Sequence, residues 1–137
     1  MSNADEASWS QRLENFSSAM EQLTDACGKT EYTDLERSGL VQIFTFSFEL
    51  ALKTLQDLLF YEGYETSSPR DVIRKSFAAG YLDESDCETL LDALKKRNLL
   101  SHTYRKALAL EAETLIKTCY NPVLTRLQAT LQAKRQP

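Results

Sequence analysis

The residues of this chain best suited to chemistry stand in one short stretch, Arg97-Asn98-Leu99-Leu100-Ser101-His102-Thr103-Tyr104. It contains the only histidine in the sequence. An imidazole titrates near neutrality without any perturbation, so His102 is suited to general acid–base work. Arg97 offers a planar fork of donors that can hold a phosphate through two hydrogen bonds and stabilise charge developing on it. Asn98 lies one helical turn before His102 and can orient its ring, while Ser101 and Tyr104 add hydroxyl groups. From 95 to 106 the chain carries Lys95, Lys96, Arg97, Arg105 and Lys106 and no acid, whereas 83–92 is acidic. A local basic stretch of this kind suits a small site for a phosphate-bearing group.

The stretch also interrupts a pattern. The apolar stripe Cys87, Leu90, Leu91 and Leu94 extrapolates through positions 97, 98, 101 and 105 at about 100° per residue. Those positions hold Arg97, Asn98, Ser101 and Arg105. Leu99 and Leu100 are expected to point the other way, as packing behind a recessed polar face. Asn98 and His102 share one helix edge, and Arg97 and Tyr104 the opposite one if the helix holds that far. A structural alternative stands beside the chemical one. A lone histidine is often structural, and basic residues near a helix C-terminus complement its dipole without any function. Glu49 is a second polar residue in an apolar setting: either it pairs with Lys53 one turn on, or it is a buried acid facing a polar site.

The elements that must position these residues read as helices almost throughout. Trp9, Leu13, Phe16, Met20, Leu23 and Cys27 recur at spacings of four and three, one apolar stripe that stops at Gly28. Asp34 is expected to cap a second helix running to about Glu62, with Leu40, Ile43, Phe44, Phe48, Ala51, Leu55, Leu58 and Leu59 on its main face. Phe46, Leu50 and Leu52 widen that face, as for a helix that is central or also meets a partner subunit. Ser68-Pro69-Arg70-Asp71 opens a short helix carrying Val72, Ile73 and Phe77 and ending at Gly80. Asp83 caps the next. A last helix over about 106–133 places Leu108, Ala112, Leu115, Cys119, Val123 and Leu127 on one face, and Pro122 should kink or break it near Tyr120. The expectation is all-α: an antiparallel four-helix up-and-down bundle with one extra short helix. Its limits are read as 8–133, with 1–7 a disordered N-terminus or tag remnant and 134–137 a frayed tail.

Composition agrees and narrows the classes. The 137 residues fit one domain, with 42% hydrophobic and 26% charged residues, only 4 glycines and only 3 prolines. The net charge of −4 argues against a broad nucleic-acid surface. Cys27, Cys87 and Cys119 form no Cys-x-x-Cys pair and leave an odd count, so neither a zinc site nor a disulfide framework is expected, and no cofactor or metal is suggested. With no apolar run of membrane-spanning length and no signal peptide, a cytoplasmic location is expected and no membrane partner.

At this point the sequence resembles a known family. Arg-Asn-x-x-x-His-x-Tyr late in a bundle helix is similar to the R-x4-6-H motif of HEPN domains. It looks like the R-x4-H-x-Y form of HEPN toxins paired with minimal nucleotidyltransferase antitoxins. Trp9 to Phe16 (WSQRLENF), Leu40 to Leu55 (LVQIFTFSFELALKTL) and Ser68 to Ala78 (SPRDVIRKSFA) resemble successive blocks of the nucleotidyltransferase substrate-binding family. The resemblance implies a bundle like the C-terminal domain of kanamycin nucleotidyltransferase, a homodimer with two motifs near a shared cleft, and a small nucleotidyltransferase encoded nearby. The chain lacks the Gly-Ser and Asp-x-Asp signature of such transferases, so it is not itself the transferring subunit. Two functions follow from the resemblance. One is a metal-independent ribonuclease toxin in which Arg97, Asn98 and His102 act on RNA, with Ser101, Lys96, Arg105 and Glu49 in support and Tyr104 as the tyrosine adenylylated to silence it. The other is the non-catalytic substrate-binding subunit of a two-component nucleotidyltransferase, with Arg97 binding phosphate.

Overall fold

The computed structural model describes residues 3–102 and 105–135. Six α-helical segments follow one another: α1 (Asn3–Ala26), α2 (Asp34–Tyr61), α3 (Pro69–Ala78), α4 (Glu84–His102), α5 (Lys106–Leu115) and α6 (Asn121–Arg135). A single π-helical turn, Ile116–Tyr120, joins α5 to α6, so the two form one long element. The described residues contain no strand. Helix α1 begins before residue 8, and α6 runs through Arg135, so helix extends past both limits read from the sequence.

Cross-helix bonds fix the directions. Ser8 and Arg12 of α1 meet Asp57 near the end of α2, whereas Ser47 reaches the carbonyl of Ala19 further along α1. The two helices are therefore antiparallel. Gln132 bonds Ser17 while Thr24 bonds Asn121, so α6 also runs against α1. Asp92 meets Tyr120 and Asp86 meets Arg126, so α4 runs against the same long element. The result is an up-down-up-down bundle, with α3 bridging α2 and α4.

Local signals explain most of the boundaries. Thr33, not Asp34, is the N-cap of α2: its hydroxyl accepts from the Glu36 N–H, and the Glu36 carboxylate accepts from the Thr33 N–H. This reciprocal capping box satisfies two donors, which an Asp34 cap would not. Ser68 caps α3 with Pro69 in the first turn. Both α2 and α3 are followed by a glycine at positive φ, Gly63 at 94° and Gly80 at 90°, a conformation costly for other residues. After Gly80 the Tyr81 N–H reaches back to the Ser76 carbonyl and closes the helix.

The core is the meeting of the predicted stripes. Trp9, Leu13, Phe16, Met20 and Leu23 of α1 pack against Leu40, Phe44, Phe48, Leu55 and Leu58 of α2, all buried. The widened face of α2 divides: Leu52 is buried, while Phe46 is 61% exposed. Two expectations are corrected. Phe77 stands 44% exposed rather than in the core. On the last element the buried positions are Ala109, Ala112, Ile116, Tyr120, Val123, Leu124, Leu127 and Leu131, while Leu108, Leu115 and Cys119 are only partly buried. A helix that keeps Val123 and Leu127 inside carries back at about 100° per residue through 120, 116, 112 and 109, one position beyond the expected 119, 115 and 108. Pro122 has no N–H to donate and its ring crowds the carbonyl four residues back. The chain does not break there but widens by one residue, with the Asn121 N–H bonding the Ile116 carbonyl.

Candidate functional site

Arg97 stands on the inward face of α4, following Leu90, Ala93 and Leu94, all buried. Its side chain is only 17% exposed. Nη1 donates to Oε1 of Glu49 on α2 at 2.5 Å. The guanidinium lies 6.0 Å from the centre of the Phe48 ring, within cation–π range. Phe48 stacks on Phe44 at 5.8 Å, and Phe44 on Tyr120 at 5.3 Å. The Tyr120 hydroxyl donates to Asp92 of α4 at 2.5 Å. A column of aromatic rings thus supports the arginine from the core. Burial, with the hydrogen bond to Asp92 second, pushes the Tyr120 phenol far above its ordinary value.

Above Arg97 opens a cleft of about 300 Å³ between α2, α3 and α4. Helix α2 contributes Glu49, Lys53 and Gln56 at helical spacing, with Leu52 beneath. The α2–α3 connection contributes Thr66, Ser67 and Ser68, and Val72 and Pro69 close the far side. Ser67 donates through both its N–H and its hydroxyl to Asp71, which also meets Lys75 at 3.3 Å. The backbone bond from Ser67 holds the Asp71 carboxyl below its ordinary range. A larger depression of about 500 Å³, beside Met20, Thr24 and Gln128, contains no residue of the motif stretch.

The structure brings together Arg97 and Glu49 but not the rest of the motif. Glu49 pairs with Arg97 rather than with Lys53, and its side chain is 44% exposed, so it is a rim acid rather than a buried one. Asn98, Ser101 and His102 are all exposed, and His102 is the last residue of α4. Asn98 and His102 lie about 40° apart around the helix, but Arg97 and His102 lie about 140° apart. One chain therefore does not aim both at the same phosphate. The Ser101 hydroxyl donates to the Arg97 carbonyl. Lys96 is held by Glu111 of α5 at 2.5 Å, and that bond raises its ammonium pKa. Arg105 is not on α4: it is the extended residue that opens α5, at φ −139° and ψ 133°. Leu100 does not point away but packs against the core, continuing the spacing 93, 97, 100, while Leu99 is 45% exposed. Tyr104 lies outside the described residues.

Sequence reasoning does not gather Lys53, Gln56, Thr66 and Ser67 into one site. Their only signal is polarity beside a helix cap, and the approach of α4 to them is a tertiary fact. Among the described residues no group of three or more His, Cys, Asp or Glu side chains is placed to hold a metal ion. None of their helices is long and apolar enough to cross a membrane.

Comparison with known proteins places this all-helical bundle in a class. Residues 11–133 match the family described as nucleotidyltransferase substrate binding protein like, and the chain belongs to that family. A crystal structure of a protein from Thermus thermophilus is similar, with a TM-score of 0.76 and 27% identity, covering 89% of this chain and 99% of that one. No curated protein matches the sequence.

Proposed function

We propose that this chain is the substrate-binding partner of a separate nucleotidyltransferase and that the cleft headed by Arg97 holds the molecule to be modified. The observation that carries this reading is the placement of Arg97. An arginine on the core-facing side of α4, supported by Phe48, opens onto a cleft walled by polar groups of α2 and of the α2–α3 connection. A purely structural arginine would need no such opening. The family supports the same reading, since its name describes substrate binding rather than transfer. The transferase encoded nearest this gene is the expected partner, and a second copy of this chain is the expected companion in the assembly. Co-expression of the tagged chain with that transferase should recover both proteins together. Arg97→Ala should leave the complex intact but abolish nucleotidyl transfer to the bound acceptor. Failure of the two proteins to associate at micromolar concentration would overturn the proposal.

A ribonuclease toxin is the second reading, and the solvent-facing pair Asn98 and His102 on one edge of α4 favours it. Because Arg97 lies about 140° away around that helix, the composite site would have to draw its arginine and histidine from two chains. In this reading adenylylation of Tyr104 adds charge and bulk that silence the site. Incubation of the purified protein with RNA, with and without chelator, separates the readings: equal RNA loss with wild type and His102→Ala excludes the nuclease.

A further inference from the structure

We propose that the Glu49–Arg97 ion pair is a latch over the cleft, opened by a phosphate monoester carried on a hydroxyl-bearing ring, whose phosphate takes the place of the Glu49 carboxylate on Arg97. The inference rests on the substrate-binding reading of this cleft and names the class of molecule that it takes.

The two members of the pair are held unequally. Arg97 is 17% exposed, rests over Phe48 and cannot leave without uncovering the core, whereas Glu49 is 44% exposed and has no other bond among the described residues. If the pair parts, it is the carboxylate that swings to solvent. Arg97 is also under-satisfied as it stands, since its Nε–H is buried and has no acceptor. A carboxylate that meets only Nη1 leaves that donor orphaned, while an oxyanion with two oxygens can meet Nε and Nη together.

Charge and shape then select the ligand. With Glu49 turned out, Arg97 and Lys53 face the cleft as two cations, and the nearby Asp71 is already engaged by Ser67 and Lys75. Two cations match a phosphate monoester, which carries a charge of about −1.5 to −2 at neutral pH, better than a single carboxylate. Gln56, Thr66 and Ser67 supply hydrogen-bonding groups for ring hydroxyls, and Leu52 with Val72 gives an apolar floor for one ring face. A cavity of about 300 Å³ is at the small end for ligand sites and fits a sugar phosphate rather than a polymer.

The test uses the full chain, calorimetric titration, and the NMR signal of the Arg97 Nε–H group. The probes are ribose 5-phosphate, inorganic phosphate and ribose. Ribose 5-phosphate should bind and shift the Arg97 signal, inorganic phosphate should bind more weakly, and ribose alone should do neither. Glu49→Gln removes the internal competitor and should tighten ribose 5-phosphate about twofold to fivefold, as expected for a half-exposed ion pair. Lys53→Met, at an exposed position that keeps the fold, should weaken it about tenfold. Unchanged or weaker binding by Glu49→Gln overturns the latch. Equal binding of phosphate and ribose 5-phosphate overturns the ring, and an unmoved Arg97 signal overturns the site. If no probe binds but the transferase still acts in an Arg97-dependent way, the latch inference fails and the substrate-binding function stands. If the probes behave as expected and no transferase associates, the opposite holds.

Discussion

Replacing Tyr120 with phenylalanine removes one hydroxyl and leaves the aromatic column under Arg97 in place. The ring is 1% exposed and its hydroxyl donates to Asp92 at 2.5 Å. A hydrogen bond to a charged acceptor contributes about 1.5–3 kcal/mol. Asp92 is itself exposed and regains water when the donor is lost, so the low end applies, about 1.5 kcal/mol. For a chain of 137 residues this corresponds to a fall in Tm of about 5 °C. The pH dependence identifies the source. In the fold the phenol is held well above its ordinary value of 10.0, by burial first and by Asp92 second. Its share of stability is therefore complete below about pH 10, where the unfolded chain also keeps the proton, and is lost as pH rises beyond that point. Thermal unfolding of wild type and Tyr120→Phe should differ by a constant amount up to about pH 9 and converge above pH 10. The other tyrosines are common to both proteins and cancel. Equal midpoints at neutral pH, or curves that stay parallel at high pH, would refute the assignment.

Three further outcomes follow from other parts of the molecule. Ser68→Ala deletes the cap of α3, whose hydroxyl accepts from the Asp71 N–H at 3.1 Å, and should cost about 1 kcal/mol in chemical denaturation. Glu36 titrates at about 2 because it accepts hydrogen bonds from Lys29 and the Thr33 backbone, against an ordinary 4.5. Its contribution is present above about pH 4.5 and lost as pH falls towards 2, so acid unfolding of Glu36→Gln should lack that part of the slope. Gly39 lies within α2 with nothing within 4 Å of where a Cβ would stand, so Gly39→Ala should raise stability by about 0.5–1 kcal/mol in urea melts. A loss instead of a gain would show that this side of α2 is covered in solution.

How far the sequence reveals the molecule depends on the range of each interaction. Stripes at helical spacing depend on local periodicity, and Trp9 to Leu23 and Leu40 to Leu59 mark the core helices correctly. The Ser68-Pro69 start of α3 is equally plain, because cap, proline and acid lie within four residues. At α2 two adjacent residues could each cap, and only the reciprocal bond to Glu36 decides for Thr33. Glu49 shows the limit. Lys53 is its neighbour in sequence, but its partner is Arg97, 48 residues away. Nothing in local spacing reports the distance between α2 and α4. Arg97 is conspicuous as a charge on an apolar stripe, but the cleft that gives that position meaning is assembled by α3, whose docking the sequence does not encode in any one segment.

The π-turn at Ile116–Tyr120 makes the last helix one residue longer than an even spiral would need. That surplus residue is slack: five residues of π-turn rotate the chain about as far as four of ordinary helix, so excising one residue from 117–119 would restore a regular spiral with α6 facing nearly as it does now. Excising a second, with no wide turn left to absorb it, would turn α6 by about 100° relative to α5. Val123, Leu127 and Leu131 would leave the interior together. Tyr120 would move with them, and the column beneath Arg97 would lose its base. Loss of that second residue, far from the cleft in sequence, would thus deprive the arginine of its footing, so this helix should tolerate one deletion at the π-turn and not the next.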